Sequence, residues 1–459
     1  MTIPSYAGLN TALSGLEAAQ AAIDTTGQNI ANANTPGYTR QQVVETERNP
    51  LTIQALSNVT GAGAQIGLGV DITTISRIRD QFLDIQYRGQ NTQTSGNNTA
   101  STMLGQVQAA LAEPSSSGLS TALSQFWSTW NALGNNPTNQ GALQAVVGAG
   151  QTVASSLNTL SGELTALESQ VTGQYNSLTD PTTGPVASDA RQIAALNSQI
   201  AQAQVNGLNP NTLLDQRDAL IDDLSQYSNV NVTTQANGMV NVSFGKAAIA
   251  AAGGTPDLTP LVNGSSVDLG DNLTDLNLSG SGGTLGALLN LHDSSTGQGQ
   301  IAGYLTTLDG VAKNLVNTVN NAITPGATNN STPPAFFDPS KLTAATIALN
   351  PNVSSATAPY TAAEAQAVGQ LSGGSVDQAY NAFVTQIGSD VQSTQNAQQT
   401  SQSLLTAMSN QRQSVSGVSL DEEMTNLLTY QQAYQASARV MNAINETLNT
   451  LINQVGANI

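Results

Sequence analysis

Apolar residues recur at a four-three spacing at both ends of the chain. This spacing predicts one stripe along a helix, and such a one-sided helix needs a partner. The C-terminal helix would be roughly 50 Å long at 1.5 Å per residue. We call these residues the predicted seam: Leu9, Leu13, Leu16, Ile23 and Ile30 near the start, and Leu420, Met424, Leu427, Tyr434, Met441, Leu448, Ile452 and Val455 near the end.

The predicted seam indicates an assembly device. Chain termini usually fray, so two helical stripes at opposite ends favour pairing with each other or with a neighbouring subunit. Gln431 and Asn445 fall on the C-terminal stripe, where buried polar residues can fix the register. The alternative is an ordinary pair of packed core helices.

Between the ends, the period changes several times. Short alternating runs predict strands near residues 43–46 and 70–78, and a helical spacing covers most of residues 82–227. A period of two then predicts a hairpin of Val230 and Val232 with Val240, Val242 and Phe244, turning at Asn237-Gly238. Short strands are expected over residues 253–283, and helices over 285–291, 304–319 and 379–414.

The predicted fold class is therefore mainly α with a β-rich insertion (α+β). The predicted divisions are an N-terminal coiled-coil segment (1–40), a helical domain with short strands (41–228), a β-rich domain (229–340), the second part of the helical domain (341–415) and a C-terminal coiled-coil segment (416–459).

Two clusters of side chains have competing interpretations. Phe126, Trp127 and Trp130 favour a core, while a stacking platform for sugars or bases is the functional alternative. The acidic helix at residues 209–227 could suggest a metal site, but its charges are more typical of a solvated helix face.

Composition favours an extended assembly protein over an enzyme. Aromatic residues make up 4% and charged residues 9% of the chain, and 12 Lys and Arg against 30 Asp and Glu give a net charge of −18. The dispersed acidic charge argues against nucleic acid as a partner. No run is long and apolar enough for a membrane span, and the first basic residue is Arg40, which predicts no cleaved secretion signal.

The chain offers little for catalysis. It has no cysteine, and His292 is its one histidine, so thiolate sites and multi-histidine metal sites are excluded and a Ser/His/Asp triad would depend on His292. A pair of carboxylates remains possible. Residues 280–286 (GSGGTLG) lack the lysine of a phosphate loop, and Ser419 with Glu422 predicts a capping box. We expect no enzyme activity, metal or cofactor.

Four motifs together resemble the axial proteins of the bacterial flagellum. NTALSGLEAAQAAIDTTGQNIANANTPGYTRQ (10–41) and GLGVDITTISRIRDQFLDIQYR (67–88) are similar to segments shared by rod, hook and junction proteins. LLDQRDALIDDLS (213–225) and the segment at 417–452 are more similar to the proteins of the hook-filament junction. The resemblance covers essentially the whole chain.

The resemblance implies a structural role in joining hook to filament. It implies that the terminal helices pair as a coiled coil in an inner tube, that a helical middle domain surrounds them, and that the β domain faces outward. It also implies self-assembly in a ring or helical zone, contacts with the hook protein and a second junction protein, type III export, and an export chaperone on the C-terminal segment. The alternatives are a hook or distal rod protein, or an exported peptidoglycan hydrolase.

Overall fold

A computed structural model describes residues 4–53, 64–244, 260–263, 266–267, 282–292, 299–324, 333–353 and 360–455. Helices dominate these residues. They are α1 (Pro4–Asn32), α2 (Gln81–Leu111), α3 (Leu119–Asn135), α4 (Gln140–Thr179), α5 (Pro185–Val205), α6 (Asn211–Tyr227), α7 (Gly283–His292), α8 (Gln300–Ile323), α9 (Ala362–Gly369), α10 (Ser375–Ser416) and α11 (Leu420–Val455). None of the described helices is long and apolar enough to cross a membrane.

The strands form three small antiparallel sheets. They are β1 (Gln41–Glu47), β2 (Leu51–Ile53), β3 (Ala64–Ile66), β4 (Val70–Arg77), β5 (Val230–Thr234), β6 (Val240–Phe244), β7 (Pro260–Asn263) and β8 (Ser266–Val267). β1 pairs with β4, β2 pairs with β3, and the third sheet has the order β5-β6-β7-β8. The predicted hairpin is confirmed: Val230 lies opposite Phe244, and Gly238 adopts the positive φ of 75° that the turn requires.

The helical core is built on long apolar stripes. α2 and α10 lie along each other, α4 packs against α3, α7 and α8, and α9 covers α3. On α4 the buried residues Val146, Val153, Leu157, Leu164 and Val171 follow the spacing of one helix face. The helices predicted from this spacing at residues 82–111 and 143–178 are confirmed.

An aromatic cluster fills the centre of this core. Phe126 lies 5.0 Å from Trp127, 5.5 Å from Phe336 and 5.9 Å from Phe337 between ring centroids, and Trp130 lies 5.1 Å from Tyr360. All of Phe126, Trp127 and Trp130 are at most 1% exposed. The predicted core is therefore confirmed, and the alternative of a stacking platform is wrong because no ligand can reach these rings.

The β-rich segment predicted at 229–340 needs a correction in its second half. Its described strands end at Val267, and α7 and α8 follow. Leu285, Leu288 and Leu291 on α7 are buried against the helical core, and α8 buries a longer stripe of the same kind. Apolar spacing of three and four places these helices with the core. Most of the strands expected over residues 253–283 lie outside the described residues.

Candidate assembly interface

The two terminal helices lie against each other in an antiparallel arrangement. A Cβ at Gly8 would lie 3.3 Å from Cδ1 of Ile444, and one at Gly15 would lie 3.1 Å from Oγ of Ser437. Further along, Nδ2 of Asn29 donates a 3.0 Å hydrogen bond to Oε2 of Glu423. Since each step up α1 is an equal step down α11, one register runs through the whole contact.

The buried face of α1 carries small and polar side chains. These are Ala7, Ala12, Ser14, Ala18, Ala19, Ala22, Thr25, Thr26 and Asn29. Small residues let the two backbones approach closely. The strands β1 and β4 also pack on α1, where Oγ of Ser14 accepts a 3.2 Å hydrogen bond from the Val70 amide.

The partner stripe on α11 is larger in volume. It follows a four-three spacing and consists of Glu423, Leu427, Tyr430, Tyr434, Ser437, Met441, Ile444 and Leu448. Glu423 is buried and the others are half-buried. Antiparallel helices of this kind alternate large residues on one side with small ones on the other, which fills the space between them.

The structure brings part of the predicted seam onto this contact. Leu427, Tyr434, Met441 and Leu448 lie on the half-buried stripe of α11, while Gln431 and Asn445 are exposed. On α1, Leu9, Leu16, Ile23 and Ile30 are half-buried beside the small-residue face. Leu13, Leu420 and Met424 are 42%, 50% and 51% exposed. Ile452 and Val455 belong to α11, and their side chains lie outside the described residues.

The predicted stripe is thus rotated from the observed contact by about one residue. The reason is that large apolar side chains define a stripe in a sequence, whereas α1 buries alanine, serine and threonine. Several large apolar side chains are consequently left on the outside of the pair: Leu13, Leu420, Met424, Leu428 and Val440.

Asn29 links the two termini at the base of the helix pair. Its Nδ2 donates to the Gln41 carbonyl at 2.9 Å as well as to Glu423, and its Oδ1 accepts from the Gln41 amide at 3.0 Å and from the Tyr38 hydroxyl at 2.9 Å. Oε1 of Glu423 accepts from Nε of Arg40 at 2.7 Å. Burial, with the nearby charges of Asp215 and Glu423, raises the pKa of Tyr38 to about 12.

A cluster of arginine and aspartate side chains joins β4, α2, α6 and α10. Arg77 contacts Asp215 at 2.7 Å and Asp218 at 2.8 Å. Arg79 contacts Asp218 at 3.0 Å and Asp84 at 2.5 Å.

Asp222 forms ion pairs with the remaining two arginines of the cluster. Arg88 reaches it at 2.7 Å and Arg412 at 2.5 Å, and Arg412 also lies 3.9 Å above the ring of Tyr87. Burial acts to raise the pKa of Asp218, but the neighbouring Arg79 and Arg77 outweigh it and hold that pKa below its usual value. The prediction of a solvated acidic helix face is therefore wrong, because four guanidinium groups cover it.

Comparison with known proteins separates the ends of the chain from its centre. Residues 9–39 match the family described as flagella basal body rod protein, and residues 409–454 match the C-terminal family of flagellar basal body rod FlgEFG proteins. Residues 104–337 match the helical domain of flagellar hook-associated protein FlgK.

Full-length similarity decides the family. Flagellar hook-associated protein 1 of Bacillus subtilis (strain 168) is 31% identical over 98% of this chain and 99% of its own length. The chain belongs to the flagellar hook-associated protein 1 family. The relative from Salmonella typhimurium is 35% identical over 51% of this chain and 41% of its own length. The structure of the flagellar hook junction protein FlgK from Burkholderia pseudomallei is 25% identical over 55% of this chain, with a TM-score of 0.43.

Membership of the hook-associated protein 1 family makes the chain a structural component of the bacterial flagellum. Most of α1 and of α11 lies within the segments that match rod proteins, so the helix pair is the part of the chain that is similar to those proteins. The prediction of an axial protein is confirmed, and the alternative of a hook or distal rod protein is wrong because the centre matches the hook-associated family.

Sequence reasoning missed the polar residues that hold this interface together. Asn29, Arg40 and Glu423 carry no spacing signal, since their contacts span hundreds of residues. The arginine cluster did leave a signal. Asp215, Asp218 and Asp222 recur at helical spacing on one face of α6, and three of the chain's few basic residues fall within residues 77–88.

Proposed function

We propose that this chain joins the flagellar hook to the filament. One observation carries the proposal: rod-type helical ends and a hook-associated centre occur on a single chain. Terminal segments similar to those of rod proteins would let the chain continue the axial structure that the rod and hook form. The central domain, which matches the hook-associated family instead, would distinguish the junction from that structure. The direct partners would be the hook protein on one side and a second junction protein on the other.

Self-assembly would use the outside of the helix pair. The small-residue contact between α1 and α11 leaves the side chains of Leu13, Leu420, Met424 and Leu428 between 42% and 57% exposed. Neighbouring copies in a ring or helical zone would bury these side chains, and the pair would then act as a coiled-coil element of an inner tube. The predicted seam residues would then include those that contact a neighbouring copy of the chain.

The same surface suits an export chaperone. Apolar residues exposed along the C-terminal segment need cover before assembly, and a dedicated chaperone would supply it. The chain would leave the cell through the flagellar type III apparatus. The β5–β8 sheet, which lies far along the chain from both terminal helices, would face outward from the helical domain.

Gene deletion with complementation tests the junction role. In the native host, deletion is expected to leave hooks without filaments, as seen by electron microscopy, and unpolymerised flagellin in the medium. Full-length chain should restore filaments. Cells without hooks, or cells that keep intact motile filaments, would contradict the proposal.

A variant pair tests the surface on α11. Leu420→Ser, Met424→Ser and Leu428→Ser together should fail to restore filaments because the exposed apolar contact is lost. The matched control changes exposed polar positions on the same helix, Gln432→Ser and Gln435→Ser, and should restore filaments fully. Equal rescue by both variants would remove this surface from the assembly model.

A further inference from the structure

A cavity of about 470 Å³ opens between β4, α2, α6 and the β5–β6 hairpin. Its charged lining is predominantly basic, with Arg77, Arg79, Arg88 and Arg217 against Asp84 and Asp218. This stands out in a chain whose net charge is −18. The cavity is therefore a local exception to an acidic protein.

Arg217 is the unusual member of this lining. It is 5% exposed, and its Nη1 donates to two neutral acceptors, Oδ1 of Asn197 at 3.0 Å and the Gly238 carbonyl at 2.8 Å. Its buried Nε has no acceptor among the described residues. Within the same residues no carboxylate lies in ion-pair range of it, whereas Arg77, Arg79 and Arg88 each contact at least one aspartate.

A buried guanidinium without a carboxylate is costly to a fold. Burial lowers the pKa of Arg217, and Asp218 offsets this only in part. A carboxylate entering from outside would supply the missing acceptor and could bond two nitrogens of the guanidinium at once. The cavity is thus short of one negative charge.

Apolar side chains flank the cavity. Ile85 lines it and is 68% exposed, and Phe82, one turn earlier on α2, is 64% exposed. Val205 and Leu208, which are next in sequence to the lining residues Gln204 and Asn209, are also exposed. A small anion would leave this apolar rim in water, whereas a protein segment would cover it.

We propose that this cavity is a docking site for a second copy of the chain, which inserts a glutamate or aspartate side chain against Arg217 and covers Ile85 and Phe82. Charge complementarity favours this occupant, since each copy carries 30 acidic residues against 12 basic ones. The inference rests on the proposed self-assembly and locates one of its contacts on the helical domain, away from the terminal helices.

Photo-cross-linking within the flagellum tests the occupant. A photoreactive amino acid replaces Ile85 in the full chain, expressed in the native host, and flagella are isolated and irradiated. We expect a cross-linked dimer of the chain, with the attachment site mapping to an acidic segment of the second copy. Cross-links to a different protein, or none in flagella that contain the chain, would overturn the inference. Absence of the chain from flagella would instead contradict the proposed function.

A charge variant tests the role of Arg217. Arg217→Met should weaken self-association of the purified full chain about tenfold, measured by sedimentation velocity over a range of concentrations, and should reduce its dependence on salt. Arg191→Met is the matched control, because Arg191 likewise donates only to neutral acceptors, the carbonyls of Pro181 and Thr182, but is exposed and outside the cavity. Equal association of both variants would overturn the inference.

Two further measurements cover the remaining outcomes. If Arg217→Met does not fold, Ile85→Ser replaces it, since that side chain is exposed and its loss should weaken association without affecting the core. Sodium acetate serves as a small carboxylate probe. If acetate raises the melting temperature of the wild-type chain while Ile85→Ser leaves association unchanged, the site takes a small anion only and the second copy is ruled out.

Discussion

The helical core and the terminal helix pair bury opposite kinds of side chain. The core packs rings such as Phe126, Trp130 and Phe336 to near-zero exposure. The pair buries alanine, serine and threonine on α1, half-buries the larger stripe of α11, and leaves Leu13, Leu420, Met424 and Leu428 exposed. Apolar area removed from water stabilises a fold in proportion to its size, so the core is self-sufficient while the pair depends on neighbours. The helical core therefore stabilises the folded chain, while the terminal helix pair serves assembly with neighbouring subunits.

The largest test of this division is a pair of truncations. Trp130→Ala should lower the free energy of unfolding by about 3–5 kcal/mol, because it opens a large cavity among the aromatic rings. Leu428→Ala, at an exposed site on α11, should change it by less than about 0.5 kcal/mol. Denaturant unfolding of the full chain, followed by circular dichroism, measures both. A large decrease in the free energy of unfolding for Leu428→Ala would show that this side chain stabilises the isolated chain and is not reserved for contacts with neighbouring subunits.

The next test concerns the polar node that holds the pair in place. Glu423→Ala should cost about 2–3 kcal/mol, since it strips a buried acceptor from Arg40 and Asn29. Glu422→Ala is the control: its side chain contacts the same Arg40 but is 62% exposed, against 2% for Glu423, so the cost should stay below about 1 kcal/mol. Amide hydrogen exchange in α1 reports the loss locally. If the amides of α1 were equally protected from exchange in the two variants, the buried contacts of Glu423 would not hold the helix pair in place.

Close approach of the helices gives a third, smaller effect. Gly15→Leu should destabilise the pair by about 1–2 kcal/mol, because its Cβ would press on Ser437 and force the backbones apart. Gly27→Leu should instead stabilise α1 by up to about 1 kcal/mol, since a Cβ there meets no atom within 4 Å and leucine favours helix. Thermal unfolding compares them. Stabilisation by both would mean that the small-residue face is not a contact.

The smallest effect is a dependence on pH within the helical region. Burial and the nearby Asp223 raise the pKa of Asp189 to about 6. The folded state therefore holds a proton there that the unfolded chain has lost above pH 3.8, so stability falls as pH rises from about 4 to 6. Asp189→Asn should remove this loss and stabilise the chain at pH 7.5 by about 1 kcal/mol, a value discounted for partial exposure, and much less at pH 4.

Asp180 provides a control of opposite sign. Its carboxylate accepts hydrogen bonds from the amides of Thr182 and Thr183, which lower its pKa. Asp180→Asn should therefore reduce the melting temperature at pH 7.5 and matter less as the pH falls towards the pKa. Two variants that shift the melting temperature in the same direction at pH 7.5 would contradict this electrostatic account.

Periodic elements were predictable and long-range polar contacts were not. The spacing of large apolar residues identified the long helices, the β5–β6 hairpin and a partner-seeking helix at each end. The same reasoning predicted that the acidic face of α6 is exposed to solvent. That prediction was wrong because no pattern within α6 indicates that four arginines distant in sequence contact this face: Arg77, Arg79, Arg88 and Arg412. The division of the chain into domains also assigned residues 229–340 to a β-rich domain, although the apolar spacing at 285–291 and 304–319 predicts the helices that the structure shows as α7 and α8.

By itself, the sequence determined the helical character of the chain, its acidic charge and its resemblance to axial proteins of the flagellum, because period, composition and motif are local properties. Only the tertiary structure decided which stripe of each terminal helix is used. Alanine and serine carry little hydrophobic signal, yet they allow α1 to lie close to α11, so the contact formed there and Leu13, Leu420, Met424 and Leu428 were left outside. Packing depends on shape as well as on hydrophobicity, and the shape of the space between two helices exists only once both are in place.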